Sequence, residues 1–252
     1  MSIAVIVITK NEEHNVSQCL QSVQWADEII VVDSESRDKT VEIARTFTPK
    51  VYIKPWLGFA AAKSFGLQEC TSEWVLWLDA DERVTSPLAE EIRNLVRSKP
   101  QEAAFRVKRK AYFLGTWIRH SGWYPGRVTR LFNREKARFN NAAVHEGLEV
   151  DGAISDLSND LLHFTDPNLY HYFSKLNRYT TLAAVESFRK GKRSGLSDFI
   201  VRPVWQFLRM YFVRLGFLDG VPGLLLALLS ASYVLTKYAK LWELGESVSK
   251  SR

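Results

Sequence analysis

The apolar run Trp74-Val-Leu-Trp-Leu-Asp-Ala-Asp-Glu82 delivers Asp79 and Asp81 together where it turns polar. Two carboxylates at such a point are costly without a positive partner. In a strand of period two they project to the same side, where they share a divalent cation or flank a pyrophosphate through one. The plainer alternative is a solvated strand end with helix-capping acids. Two further polar clusters favour the chemical reading: Thr9 to Glu12 after one apolar run, and Asp33-Ser-Glu-Ser36 after another. No Gly-x-Gly-x-x-Gly follows the first run and no Gly-Lys-Ser/Thr loop occurs, which disfavours a dinucleotide enzyme or a P-loop ATPase. A nucleotide held by carboxylates and a metal remains.

The elements that must position these groups alternate over the first hundred residues. Ile3 to Thr9, Glu28 to Asp33, Lys50 to Lys54 and Trp74 to Asp79 read as strands. Between them, helices are expected from an Asn11 cap to about Gln24, after an Asp38 cap, and from Phe59 to Cys70; a fourth is capped by Ser86 and opened by Pro87. Strands of near-continuous Ile, Val, Leu and Trp alternating with helices imply an α/β fold with a parallel sheet covered on both faces. Ligands in such sheets bind outside the carboxyl ends of the strands, where the three polar clusters converge. From Ala103 to about Val150 the texture becomes aromatic, basic and strand-like, and Leu169 to Lys190 reads as a helix.

The formal charge of +6 is unevenly distributed. From Phe188 to Arg252 there are eleven Lys and Arg against four Asp and Glu, so the basicity belongs to the tail. A nucleic-acid binder would carry a basic stripe on its folded domain, and no zinc-finger or RNA-binding signature is present. A tail both basic and apolar points to an anionic membrane surface. Residues 220 to 236 are uncharged but only just reach the shortest span, and Pro222, Gly223, Ser230 and Ser232 interrupt them. Phe199 to Phe217 carries Arg202, Gln206 and Arg209 on one helical face, as expected of a helix lying in the interface. Helices packed on the catalytic domain or another subunit would give the same pattern. Two cysteines, Cys19 and Cys70, in apolar helical patterns favour a reduced cytosolic location. The opening segment reads as a buried strand rather than a signal peptide.

Four segments, Ile6-Val-Ile-Thr-Lys-Asn-Glu-Glu13, Ile30-Val-Val-Asp-Ser-Glu-Ser-Arg-Asp38, the Lys63 region and Leu78-Asp-Ala-Asp-Glu82, together resemble the family 2 glycosyltransferases of the GT-A fold. Further on, Gly122-Trp-Tyr-Pro125, Arg130-Leu-Phe132, Val144-His-Glu146 and Gly216-Phe-Leu-Asp-Gly220 resemble the lipopolysaccharide core β-glucosyltransferases of Gram-negative bacteria. The resemblance implies a GT-A, Rossmann-like, mostly parallel sheet flanked by helices over residues 1–167. Residues 168–252 then form a helical, membrane-associating extension. It implies a nucleotide-sugar donor, UDP-glucose foremost, with Mg²⁺ or Mn²⁺, and inversion by a single displacement that needs one carboxylate base.

Roles follow for single positions. Thr9, Asn11, Glu12 and Asp33 are expected to hold the nucleoside, and Lys63 to reach the nucleotide, unless it is a solvated helix lysine. Many relatives carry paired aspartates where this chain has Asp33-Ser34. Asp81 is expected to bind the metal directly, with Asp79 assisting and His163 as a third ligand or a satisfied core histidine. Glu146 is the candidate base, with Asp151 and Asp156 as substitutes and a surface ion pair as the plainer reading. Trp123 and Tyr124 are candidates for stacking on the acceptor sugar; Arg127 and Arg130 are candidates for the pyrophosphate or an anionic acceptor, or are solvated. The expected acceptor is a lipid-linked saccharide such as lipopolysaccharide inner core, reached from the cytoplasmic face of the inner membrane by a peripherally bound enzyme. Transfer to a polyprenyl phosphate, and a non-catalytic adaptor retaining the GT-A shape, are the competing readings.

Overall fold

The structure, a computed structural model, describes residues 1–139 and 147–250. Its centre is four parallel strands, β1 (Ile3–Thr9), β2 (Glu28–Asp33), β3 (Val51–Ile53) and β4 (Trp74–Asp79), in the order β3-β2-β1-β4. All seven residues of β1 are buried, which explains why its sequence shows no polar alternation. Val5 and Val7 join a core with Leu20, Leu88 and Ile92 of helices α1 (Val16–Gln21) and α4 (Ser86–Arg97). Helix α2 (Thr40–Arg45) adds Ala44 to that core. On the opposite face Ala4, Ile6 and Ile8 pack with Ile30, Val32 and Ala62 of helix α3 (Phe59–Gln68).

The chain runs outward from β1 to β3 and then returns to lay β4 on the other side of β1. That reversal makes the carboxyl ends of β1 and β4 the switch point of the sheet, the usual ligand position in an open α/β sheet. Beyond β4 the sheet turns antiparallel. It continues through β5 (Glu82–Val84), β6 (Ala104–Phe113), β7 (Thr116–Trp117), β8 (Gly126–Asn133) and, after a separate pair made of β9 (Ala137–Phe139) and β10 (Leu148–Val150), β11 (Ile154–Asp166). The order after β4 is β8-β6-β11-β5, with β7 paired to β6.

Gly66 fixes how closely α3 approaches this sheet. A Cβ there would lie 2.6 Å from Ile6 Cγ2 and 3.3 Å from Val32 Cγ2. Lys63 stands one helical turn earlier on the same face, so the close approach also sets the depth of its ammonium. Gly66→Ala is expected to lower stability, because overpacking costs about 1–3 kcal/mol and outweighs the ~1 kcal/mol helix-propensity gain. A urea midpoint equal to or above wild type would refute it.

Helix starts differ from the sequence expectation. The first helix begins at Val16 because Asn11 takes a left-handed backbone (φ 55°) and residues 13–15 form a turn. The fourth is capped by Thr85, whose Oγ1 accepts the Leu88 N–H, rather than by Ser86.

The described chain divides into two compact units, Met1–Lys110 with Gly126–His163, and Ala111–Pro125 with Phe164–Arg252. The second contains α5 (Leu169–Arg189), α6 (Leu196–Leu208) and α7 (Gly220–Lys250), around a core of Phe113, Ile118, Met210, Leu226 and Ala227. The single interfacial helix expected from 199 to 217 is instead broken. After α6 come a π-helical turn (Arg209–Val213) and a 3-10 turn (Gly216–Asp219). Leu215 at φ 55° interrupts the helix, and Gly216 allows an approach in which a Cβ would meet Ser121 Oγ at 2.5 Å and the Met210 carbonyl at 2.7 Å. Asp219 ties that turn to the 119–120 loop by accepting the Arg119 and His120 N–H groups at 3.1 and 2.9 Å.

Candidate active site

At the carboxyl end of β4 the strand stops at Asp79, Ala80 and Asp81 form a turn, and Glu82 opens β5. The period-two argument therefore ends at Asp79. The two aspartates reach this end of the sheet by different routes, one from a strand and one from a turn. Ile8 of β1 lies opposite Asp79 in the parallel register, so this end of β4 adjoins the Thr9 loop.

Asp79 does not stand alone. Arg130 of β8, 2% exposed, donates through Nη2 to Asp79 Oδ2 at 2.8 Å and to Glu82 Oε1 at 2.5 Å. Glu82 is fully buried and its other oxygen accepts the Asp79 N–H at 3.1 Å. The Arg130 guanidinium and the Lys63 ammonium both lie over the Trp77 indole, 3.5 and 3.8 Å from its ring centre, as cation–π contacts.

These placements split the titration of the carboxylates. Burial pushes the Asp79 pKa up, but the Arg130 charge and then the Lys63 charge outweigh it and hold the group below the usual range. Burial drives Glu82 above the usual range; Arg130 opposes the rise and Asp79 adds to it. Arg130 is desolvated too, yet the two acids raise its affinity for the proton. A buried ion triad of this kind is sensitive to loss of any one member.

Asp81 is held less completely than Asp79. Its Oδ1 is buried and accepts nothing from the described protein, while Oδ2 lies 3.4 Å from His163 Nε2. His163 is held there by antiparallel pairing, opposite Glu82 of β5. A desolvated carboxylate oxygen without a donor is unfavourable unless a cation meets it. A carboxylate oxygen suits Mg²⁺ or Mn²⁺, and an imidazole nitrogen beside it favours Mn²⁺ over Mg²⁺. Among the described residues no set of three His, Cys, Asp or Glu gathers into a complete metal cage.

The ends of β1 and β2 form a second network. Thr9 Oγ1 donates to Asp33 Oδ2 at 2.8 Å, and Ser36 donates its backbone N–H to Asp33 Oδ1 at 2.8 Å and its hydroxyl to Oδ2 at 2.5 Å. Asp33 is wholly buried, so in this structure it closes the turn. The Asn11 N–H donates to Ser36 Oγ, and Asn11 Oδ1 accepts the Arg37 N–H. The Glu12 N–H donates to Thr40 Oγ1, and Glu12 Oε2 accepts from Asn15. Thr9, Asn11, Glu12 and Asp33 are thereby brought together. So, separately, are Lys63, Asp79 and Arg130.

Trp123 and Tyr124 belong to the second unit, where Trp123 packs edge-on to Phe113 and Tyr124 edge-on to Trp117. Arg127 is exposed and pairs with Asp156, which also binds Arg106, so that carboxylate is already committed. Glu146 lies outside the described residues. Two residues near the acids were not singled out from sequence. Glu82 reads there as one more polar residue after an Asp-X-Asp. Arg109 sits at the inward parity of β6 between buried Val107 and Ala111, and that parity was the available signal. Burial and then the neighbouring Arg130 charge lower the Arg109 pKa, while the Glu82 and Asp79 charges oppose that. A cavity of about 410 Å³ at the amino-terminal end of the parallel strands is lined by Glu28, Lys50, Thr71 and Ser72, and Glu28 in its wall accepts hydrogen bonds from the other three.

The sequence model described as Glycosyl transferase family 2 matches residues 4–148. An uncharacterised glycosyltransferase of Rickettsia typhi is 32% identical over 96% of this chain and 87% of its own length. A lipopolysaccharide core biosynthesis glycosyltransferase, LpsC of Rhizobium meliloti, is 30% identical over 96% of this chain and 93% of its own. Among solved structures, S. aureus TarS 1-349 in complex with UDP-GlcNAc is 16% identical at a TM-score of 0.48, over 100% of this chain and 93% of that one.

Proposed function

Because the chain belongs to glycosyl transferase family 2, we propose that it is an inverting, metal-dependent enzyme that moves a hexose, glucose foremost, from a UDP-sugar to a lipid-linked saccharide. The acceptor class follows the Rhizobium meliloti relative, named for lipopolysaccharide core biosynthesis and alignable over nearly the whole chain. The reaction site is then the cytoplasmic face of the inner membrane. The observation that carries the metal-dependent reading is the buried Asp81 oxygen that no group among the described residues satisfies, beside the His163 imidazole.

In this reading Asp81 and His163 would hold Mg²⁺ or Mn²⁺, which would supply neutralisation of the charge gathering on the departing diphosphate. Lys63, Arg109 and Arg130 line the same region with positive charge and favour that anion further. Arg130 and Glu82 fix Asp79, which faces the donor through its partly exposed edge. Thr9, Asn11, Glu12 and Asp33 shape the nucleoside end, Asp33 by holding the turn that receives the base or ribose. Glu146 takes the proton from the acceptor hydroxyl as that oxygen attacks the anomeric carbon, and Trp123 and Tyr124 offer rings to the acceptor sugar.

Calorimetry against UDP, GDP and dTDP with and without Mn²⁺ tests the donor half. UDP is expected to bind best, and at least about 10-fold more tightly with the metal. Affinity indifferent to Mn²⁺ would sink the metal's role, and a preference for GDP or dTDP would sink the donor. Glu146→Gln is expected to leave UDP affinity unchanged and cut turnover by about 10²; equal loss of both would remove Glu146 as base.

A further inference from the structure

We infer that the solvent-facing side of α6 and the turns that follow it form a lipid-docking surface that lies in the headgroup–acyl boundary of an anionic bilayer. The inference deepens the proposed function and rests on its lipid-linked acceptor, but it is carried by observations of its own.

Helix α6 has three sectors. Phe199, Pro203 and Gln206 turn towards the protein, with Pro203 buried and Gln206 bonded to Met210. Asp198 and Arg202 form a polar edge and pair with each other one turn apart. The remaining half of the circumference carries Leu196, Ile200, Val204 and Leu208 at four-residue spacing, with Trp205 beside them, and these five are 39 to 74% exposed. Ordinary soluble surfaces scatter such residues singly. Here the exposure continues through Phe212, Val213, Phe217 and Leu218 of the next two turns and Val221 at the start of α7.

The charge pattern selects the occupant. Arg209 and Arg214 are exposed within this apolar stretch and Arg202 borders it. The segment from Phe188 onward holds eleven basic against four acidic residues. A second copy of the chain would bring like charges together at the same face. An anionic lipid surface instead meets the arginines with phosphates while accepting the Trp and Phe side chains at the depth where amphipathic rings settle.

The second unit also argues for lying on the bilayer rather than crossing it. Residues Gly216–Ser247 are long and apolar enough to span a membrane by length and composition. Yet α7 is fastened along its later half. Lys240 Nζ donates to the Asn177 carbonyl, Asn177 Oδ1, Thr180 Oγ1 and Thr181 Oγ1 of α5 at 2.7 to 2.9 Å, and Ser194 Oγ donates to the Tyr238 carbonyl. A lone span would have to part α7 from α5 and α6, the two helices packed along it.

The test is sedimentation of the full chain with vesicles of phosphatidylcholine alone or with 30% phosphatidylglycerol. Binding is expected to the anionic vesicles, to weaken with added salt, and to fall at least about 10-fold in the exposed-site variant Val204→Ser/Trp205→Ser/Leu208→Ser. UDP affinity in the same variant should equal wild type, which separates failure of the docking surface from failure of the donor site. No binding by wild type, or equal binding by the variant, would overturn the inference. So would a dimer in light scattering that the triple variant dissociates, because the face would then be covered by a second copy. Resistance to alkaline carbonate extraction from vesicles would overturn the in-plane geometry in favour of a span.

Discussion

Asp81→Asn is expected to lower turnover by at least about 10² while leaving the melting temperature unchanged or slightly raised. The two halves of that result come from one fact. Asp81 Oδ1 accepts no hydrogen bond from the described protein, so the folded state holds a buried carboxylate oxygen without a donor. Neutralising it removes a cost and creates no cavity, because Asn matches the shape. If the oxygen exists to meet a cation, Mn²⁺ affinity measured calorimetrically in the presence of UDP should fall together with turnover. A variant that melts several degrees lower would mean that Asp81 is structural. One that retains Mn²⁺ binding and turnover would remove it from the metal site.

Arg130→Met is expected to do the opposite and act first on folding. The guanidinium is buried and bridges Asp79 to the wholly buried Glu82, so its removal leaves two acids facing each other without compensation. Breaking a buried pair from one side costs about 3–5 kcal/mol, which outweighs the packing that the Met side chain retains. The double variant Arg130→Met/Glu82→Leu should recover much of the loss, since it removes the stranded acid as well. The pH dependence fixes the sign. Glu82 already titrates above its ordinary range because of burial, and Arg130 is what opposes that rise. Without Arg130 its folded-state pKa climbs further. A group raised in the folded state stabilises below its unfolded pKa and loses that contribution as pH rises through the folded value. The urea-midpoint deficit of Arg130→Met should therefore be smaller at pH 5 than at pH 8. A deficit that widens on acidification would show that the two acids are not what Arg130 restrains.

The parallel half of the fold is legible in the residues themselves. Ile3 to Thr9, Glu28 to Asp33 and Trp74 to Asp79 are apolar runs ended by a polar group, and the observed strands have those bounds. A strand buried on both faces has no other way to be written. Local geometry was less legible where a single backbone angle decides it. Asn11 and Leu215 adopt left-handed conformations, and each moves a helix boundary that periodicity alone would set elsewhere. The difference between Arg127 and Arg130 was also hidden. They stand three residues apart in one strand, but the pairing with β6 steps from Leu131 directly to Thr129, so Arg130 falls on an irregularity that strand alternation does not announce, and only Arg130 is buried. Glu82 was passed over because a charged residue in a polar cluster reads as solvated. Its burial depends on an arginine 48 residues away, and nothing local announces such a partner.

The hop from Asp79 to Glu82 has a consequence of its own. It carries the chain from the middle of the sheet to its outermost strand, since β4 and β5 stand at opposite ends of the run β4-β8-β6-β11-β5. Both acids at its ends clasp an arginine from the strand next to the centre, and the histidine facing Asp81 comes from the strand next to the rim. The hop acts as a drawstring that gathers a wide ribbon into a cup. Fraying that began at the rim would loosen the drawstring before the middle of the ribbon parted, so chemistry would be lost while most of the molecule stayed assembled.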